Sequence, residues 1–82
     1  MIFIIDCKKY DTSKSEIIFN QNYATTSETI YKTQKGNYFI VKTDLFYKES
    51  KAKTMKEEKV KKYIFENFPS KYEEIFGEIE EG

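Results

Sequence analysis

The 82-residue chain has no histidine, no arginine and no tryptophan, and it holds one cysteine, one proline and three glycines. Each shortage excludes something. Without histidine there is no imidazole base, no Ser-His-Asp or Cys-His arrangement and no imidazole ligand for a metal. Without arginine there is no bidentate clamp for phosphate and no arginine finger. Cys7 stands alone and cannot close an internal disulfide. Following an apolar run, it reads as a small buried hydrophobe. A reactive thiol would need a cation beside it, and Lys8 and Lys9 are its neighbours in sequence. With so little glycine and proline the chain is not of low complexity, and no linker is visible. The opening run, Met1 to Ile5, meets Asp6 too soon for a signal-peptide core or a membrane span. The expectation is a soluble, cytoplasmic protein with no membrane partner.

What the chain does have is charge and aromatic rings. Fourteen lysines against fourteen acids give a net charge of zero, and seven Tyr with seven Phe make up 17% of the residues. The length suits one domain over residues 1–82. A chain of this size buries only about 60% of the surface it exposes when unfolded. An aromatic core, and dimerisation through an exposed strand edge, would both help it.

The first part reads as strands and the last third as helix. Met1 to Ile5 is a continuous apolar run, predicting a strand buried on both faces. The polar stretch Lys8 to Ser15 predicts a turn, with Asp11, Thr12 and Ser13 bonding their own backbone. Ile17-Ile18-Phe19 reads as the next strand, ending at Asn20-Gln21-Asn22. The clearest local signal is a hairpin, in which Thr29–Thr33 and Asn37–Thr43 flank Gln34-Lys35-Gly36. Gly36 there can adopt the left-handed conformation that a bulged three-residue loop requires. Tyr38 to Val41 is apolar on both sides and belongs in mid-sheet.

Thr54-Met55-Lys56-Glu57 has the form of a capping box, followed by Val60, Tyr63, Ile64 and Phe68 at helical spacing. Pro69 ends that helix, and Ser70-Lys71-Tyr72-Glu73 repeats the capping pattern. Tyr72, Ile75, Phe76 and Ile79 then form the apolar side of a shorter helix that frays near Gly77. The fold class is therefore α+β. A small antiparallel sheet of about four strands, mainly within residues 1–47, carries a helix–break–helix over residues 54–80 packed on one face.

The charge is split along the chain. Residues 1–65 carry thirteen lysines and eight acids, and residues 66–82 carry one lysine and six acids. Glu73, Glu74, Glu78, Glu80 and Glu81 form an acidic tail, whereas Lys48 to Lys62 holds seven lysines against three glutamates. Most such runs are solvated faces. Read as function, Lys48, Lys51, Lys53 and Lys56 beside Tyr47, with Tyr31 and Tyr38 on the sheet, have the composition of a single-strand nucleic-acid surface. Against that stand the missing arginine and the zero net charge. The acidic tail has no EF-hand spacing and nothing sets its carboxylates apart for acid–base work, so neither a metal, a cofactor nor an enzyme is expected. Seven tyrosines are more than so small a core can bury with satisfied hydroxyls, so some belong at its rim or in an interface.

Three segments carry a resemblance: Ile5-Asp6 leading into Lys8-Lys9-Tyr10-Asp11-Thr12, then Tyr31 to Phe39, then Tyr72 to Glu78 followed by Glu80-Glu81. Together they resemble a group of short, uncharacterised proteins of low-GC Gram-positive bacteria and their phages and mobile elements. Members of that group often have a longer glycine-rich stretch after the hairpin, where this chain has Lys48 to Lys53. The group has no catalytic residue assigned. In size and style the chain is also similar to phage-encoded inhibitors of host defence, anti-CRISPR proteins among them. The resulting expectation is a non-enzymatic inhibitor that occupies the surface of a host effector such as a CRISPR-Cas nuclease or complex. Its acidic tail would dock on a nucleic-acid groove, or its lysines on the guide RNA. The alternative is a small nucleic-acid-binding module using the lysine–tyrosine surface.

Overall fold

The structure is a computed structural model and describes residues 1–77. It opens with a hairpin of β1 (Ile2–Ile5) and β2 (Lys8–Asp11), in which Ile5 lies opposite Lys8. The connecting residues Asp6 and Cys7 have φ of 50° and 62°. Positive φ at both central positions gives a turn whose twist matches that of the strands it joins. Three expectations change here. Lys8 to Asp11 is a strand rather than part of a polar turn. Met1 to Ile5 is covered on one face only: Phe3 and Ile5 pack inward while Ile2 and Ile4 are exposed. A two-stranded hairpin laid on a sheet has only one face to bury. Its apex carries Cys7, which is exposed and not a buried hydrophobe.

The reversal expected at Asp11 to Ser13 is present as a 3-10 turn over Thr12–Lys14. The Asp11 carboxylate accepts hydrogen bonds from the Ser13 amide (3.0 Å) and hydroxyl (2.7 Å). Those bonds hold its pKa below the ordinary carboxylate value.

Next come β3 (Glu16–Asn22), β4 (Thr26–Lys32), β5 (Tyr38–Asp44) and β6 (Glu49–Met55), an antiparallel sheet in sequence order. The register between β3 and β4 slips between Ile17 and Phe19. Ile18 is the extra residue, and the bulge turns both Ile18 and Phe19 toward the main core. The β4–β5 turn is the bulged loop expected: Gly36 has φ 87°, and its amide bonds the Thr33 carbonyl at 2.9 Å.

β6 is the strand missing from the sequence expectation, which ran from strands to helix across Lys48 to Thr54. Its sequence Glu-Ser-Lys-Ala-Lys-Thr-Met lacks the β-branched and aromatic residues that usually signal a strand. It does alternate, with Ser50, Ala52 and Thr54 half-buried and Lys51 and Lys53 exposed.

The two helices are α1 (Glu57–Asn67) and α2 (Pro69–Phe76). Neither expected capping box forms. Thr54 is held in β6 opposite Phe39, and Lys56 is the cap residue without a side-chain bond. Glu57 and Glu58 in the first turn instead complement the positive end of the helix dipole. Pro69 ends α1 and is also the first residue of α2, where its missing amide costs nothing, so Ser70 lies inside the helix. Gly77 closes α2 with φ 95°.

β5 lies within the sheet and is buried from Tyr38 to Val41, as its continuous apolar run predicts. Tyr38 and Ile40 join Phe19, Ile30, Val60 and Ile64 in the core beneath α1. Phe39 and Val41 face the other way and pack with Tyr10 beneath the hairpin. The result is an α+β fold of a four-stranded sheet with helices on one face and a hairpin on the other.

Candidate functional site

The β5–β6 connection, Leu45 to Lys48, presents the largest exposed aromatic group among the described residues. Leu45 is 49% exposed, Phe46 79% and Tyr47 73%. Such exposure in a loop is ordinary when the loop is loose, but this one is tied down. Asp44 Oδ1 accepts from the backbone amides of Phe46 (2.9 Å) and Tyr47 (3.1 Å), the local turn an aspartate favours. Lys48 takes φ 55° to re-enter β6. The Leu45 amide donates to the Thr25 carbonyl at 2.8 Å, fixing this loop to the β3–β4 loop and bringing exposed Tyr23 to the same end of the sheet. The rings of Phe46 and Tyr47 meet edge to face at 5.1 Å. An anchored tip of large apolar side chains loses little entropy on docking.

The expected site residues do not gather there. Of the three candidate tyrosines only Tyr47 is at the surface. Tyr38 is 5% exposed, and Tyr31 stacks on Phe39 at 5.1 Å as part of the hairpin core. Neither is a free platform for a base, because alternation along β4 and β5 turns both rings into the two cores. Lys48 is at the end of the tip, whereas Lys51 and Lys53 are on β6 and Lys56 opens α1. Glu73 and Glu74 lie on α2, where Glu74 pairs with Lys71 at 3.3 Å. Glu78, Glu80 and Glu81, with Ile79, lie outside the described residues.

Register brings together lysines that are distant in sequence. Residues directly opposite in an antiparallel pair share a face. Lys42 is opposite Lys51, and Lys53 is opposite Ile40, so all three lysines stand on the helix side of the sheet. With Lys56 and Lys59 they line a hollow of about 880 Å³ beside β6. Sequence reasoning missed Lys42, which only strand pairing places here, and Lys59, which the packing of α1 on the sheet brings to it. It also missed Leu45, Phe46 and Tyr23, although Asp44 followed by Phe46 was a readable turn signal.

Glu28 anchors the inner wall of this hollow. Tyr63 donates to its Oε2 at 2.6 Å and Lys42 Nζ lies 3.6 Å from its Oε1. Burial first, and then the bond to the carboxylate, push the Tyr63 phenol well above its ordinary 10.0. Tyr63→Phe is expected to cost about 1 kcal/mol, since Glu28 keeps Lys42 but loses its shorter bond. The fold holds the neutral phenol, so this contribution is complete below pH 10.0 and is lost as pH rises through the folded pKa. Urea titrations of the two proteins should differ at pH 7 and converge above pH 10. A gap that widens with pH would contradict the assignment.

Comparison with protein families, characterised proteins and solved structures finds no match for the chain.

Proposed function

We propose that the protein is a non-enzymatic inhibitor, encoded by a phage or mobile element, that acts in the bacterial cytoplasm by occupying the surface of a host defence effector. A CRISPR-Cas nuclease or complex is the leading target. The observation that carries the binding part of this reading is the anchored apolar tip of Leu45, Phe46 and Tyr47, with Tyr23 beside it. Buried aromatic anchors dominate the energy of protein interfaces, and a monomer gains nothing from holding two rings rigidly in water. The anti-defence part rests on the resemblance to short proteins of mobile elements and on a composition without histidine or arginine.

The test is a plasmid-interference assay in a low-GC Gram-positive host with an active CRISPR-Cas system, alongside nuclease-treated co-purification of the effector. Expression of the protein should abolish interference and recover the effector. Phe46→Ala/Tyr47→Ala should weaken the complex by about thirtyfold or more, each ring counting as an interface anchor. Its folding stability should stay within about 0.5 kcal/mol of the parent, because both rings are exposed. Undiminished interference would refute the anti-CRISPR form, and an unchanged complex would remove the tip from the interface.

The gathering of Lys42, Lys51 and Lys53 on one face favours a second reading, a nucleic-acid-binding module. That reading requires material lost on nuclease treatment and affinity that falls steeply with salt.

A further inference from the structure

β6 forms one edge of the four-stranded sheet and its backbone pairs with β5 alone, while β1 of the hairpin lies close to it on the face opposite α1 without pairing. Which of its residues face outward follows from the bonds at the two ends of the β4–β5 pair. Thr33 N–H donates to Asn37 O at 2.8 Å, and Leu45 N–H donates to Thr25 O at 2.8 Å. Bonded and non-bonded pairs alternate in an antiparallel ladder. Phe39, Val41 and Thr43 therefore bond to β4, while Tyr38, Ile40 and Lys42 bond to β6. Opposite these last three stand Met55, Lys53 and Lys51. It follows that Ser50, Ala52 and Thr54 turn their N–H and C=O groups toward the open edge.

The open edge is flanked by cations. Lys51, Lys53, Lys56 and Lys59 line the hollow on the α1 side, and Lys8 lines it from the hairpin. Among the described residues none of these five takes part in an ion pair. The hollow holds two carboxylates, Asp6 and Glu28, and Glu28 is already engaged by Lys42 and Tyr63.

We propose that this edge takes up an extended acidic segment of a partner protein as an added strand. The segment's backbone pairs with Ser50, Ala52 and Thr54, and carboxylates at alternate positions face Lys51 and Lys53. Strand addition rests on the protein-binding reading but uses a surface other than the tip. Charge complementarity selects the occupant, and two rivals fit less well. A nucleic-acid strand would find phosphate contacts but little to stack on, because Tyr10 and Tyr38, two of the three aromatic rings along the hollow, are buried. A second β6 paired antiparallel about Ala52 would set Lys51 against Lys53 twice, and edge lysines of this kind oppose self-pairing.

The probe is a heptapeptide alternating glutamate and valine, capped at both ends, added to the intact protein at low salt. Calorimetry and amide hydrogen exchange are the readouts. Binding should slow exchange at Ser50, Ala52 and Thr54 by about tenfold or more and leave Lys51 and Lys53, already bonded to β5, nearly unchanged. Lys51→Glu/Lys53→Glu should lower affinity by about tenfold, whereas Lys62→Glu on the exposed face of α1 should not. Ala52→Pro removes an outward amide and spares the β5 ladder, a substitution that edge strands accept. It should abolish the exchange protection. No binding, or binding without protection at those amides, overturns strand addition. So does oligo-dT that binds more tightly than the peptide, or protection that rises with protein concentration in the absence of peptide. Because the probe needs no host effector, failure here leaves the tip reading standing, and loss of the effector complex on Phe46→Ala/Tyr47→Ala leaves strand addition standing.

Discussion

Phe39→Ala is expected to cost about 3–5 kcal/mol, the range for removing a buried ring. Phe39 has no exposed surface, stacks on Tyr31 at 5.1 Å with planes 14° apart, and meets Tyr10 at 5.3 Å. These contacts are the main means by which the β1–β2 hairpin is held to the sheet, since the strands of the hairpin pair only with each other. A small domain has about 5–15 kcal/mol in total, so the variant should sit near its unfolding midpoint in mild urea. Urea denaturation followed by tyrosine fluorescence measures the change. A cost below about 1 kcal/mol would mean that the hairpin does not pack where the structure has it.

Ile64→Ala should cost about 2–5 kcal/mol through the opposite face of the same sheet. Ile64 is fully buried among Phe19, Ile30, Tyr38, Ile40 and Val60. Alanine is the better helix former, so α1 itself is not weakened and the loss reports packing alone. Ile64→Val provides the control, with an expected cost of about 0.5–1.5 kcal/mol. Chemical denaturation of the pair decides the matter. If alanine and valine proved equally costly, the loss would lie in side-chain shape at one rotamer and not in the volume of the helix–sheet core.

The core beneath α1 was legible in the sequence because burial leaves a period, whereas the one beneath the hairpin was not, since Lys8 to Asp11 reads as a polar turn. Tyr38 to Val41 is apolar without a break and proves to be covered on both faces. Val60 and Ile64 recur at one helical turn and both are buried. The β4–β5 hairpin was legible because Gly36 is needed at a positive φ. Legibility failed where a residue's role depends on its partner across a gap. Lys51 and Lys53 look like a solvated run until pairing with β5 makes them part of an edge strand. Thr54 and Glu57 have the spacing of a cap, but the ladder claims Thr54 first. Tyr31 and Tyr38 were indistinguishable from Tyr47 by composition. Only their places in alternating strands separate two core rings from a surface one.

The sheet's strand order also governs time. Every strand pairs only with its neighbours in the chain, and each of those pairs is closed by a short connection. Little loop entropy is lost before a contact forms, which places folding toward the fast side for a β-rich domain, within milliseconds to a second. Nascent chain could zip from β3 through β6 as each strand leaves the ribosome, with no long wait for a distant partner.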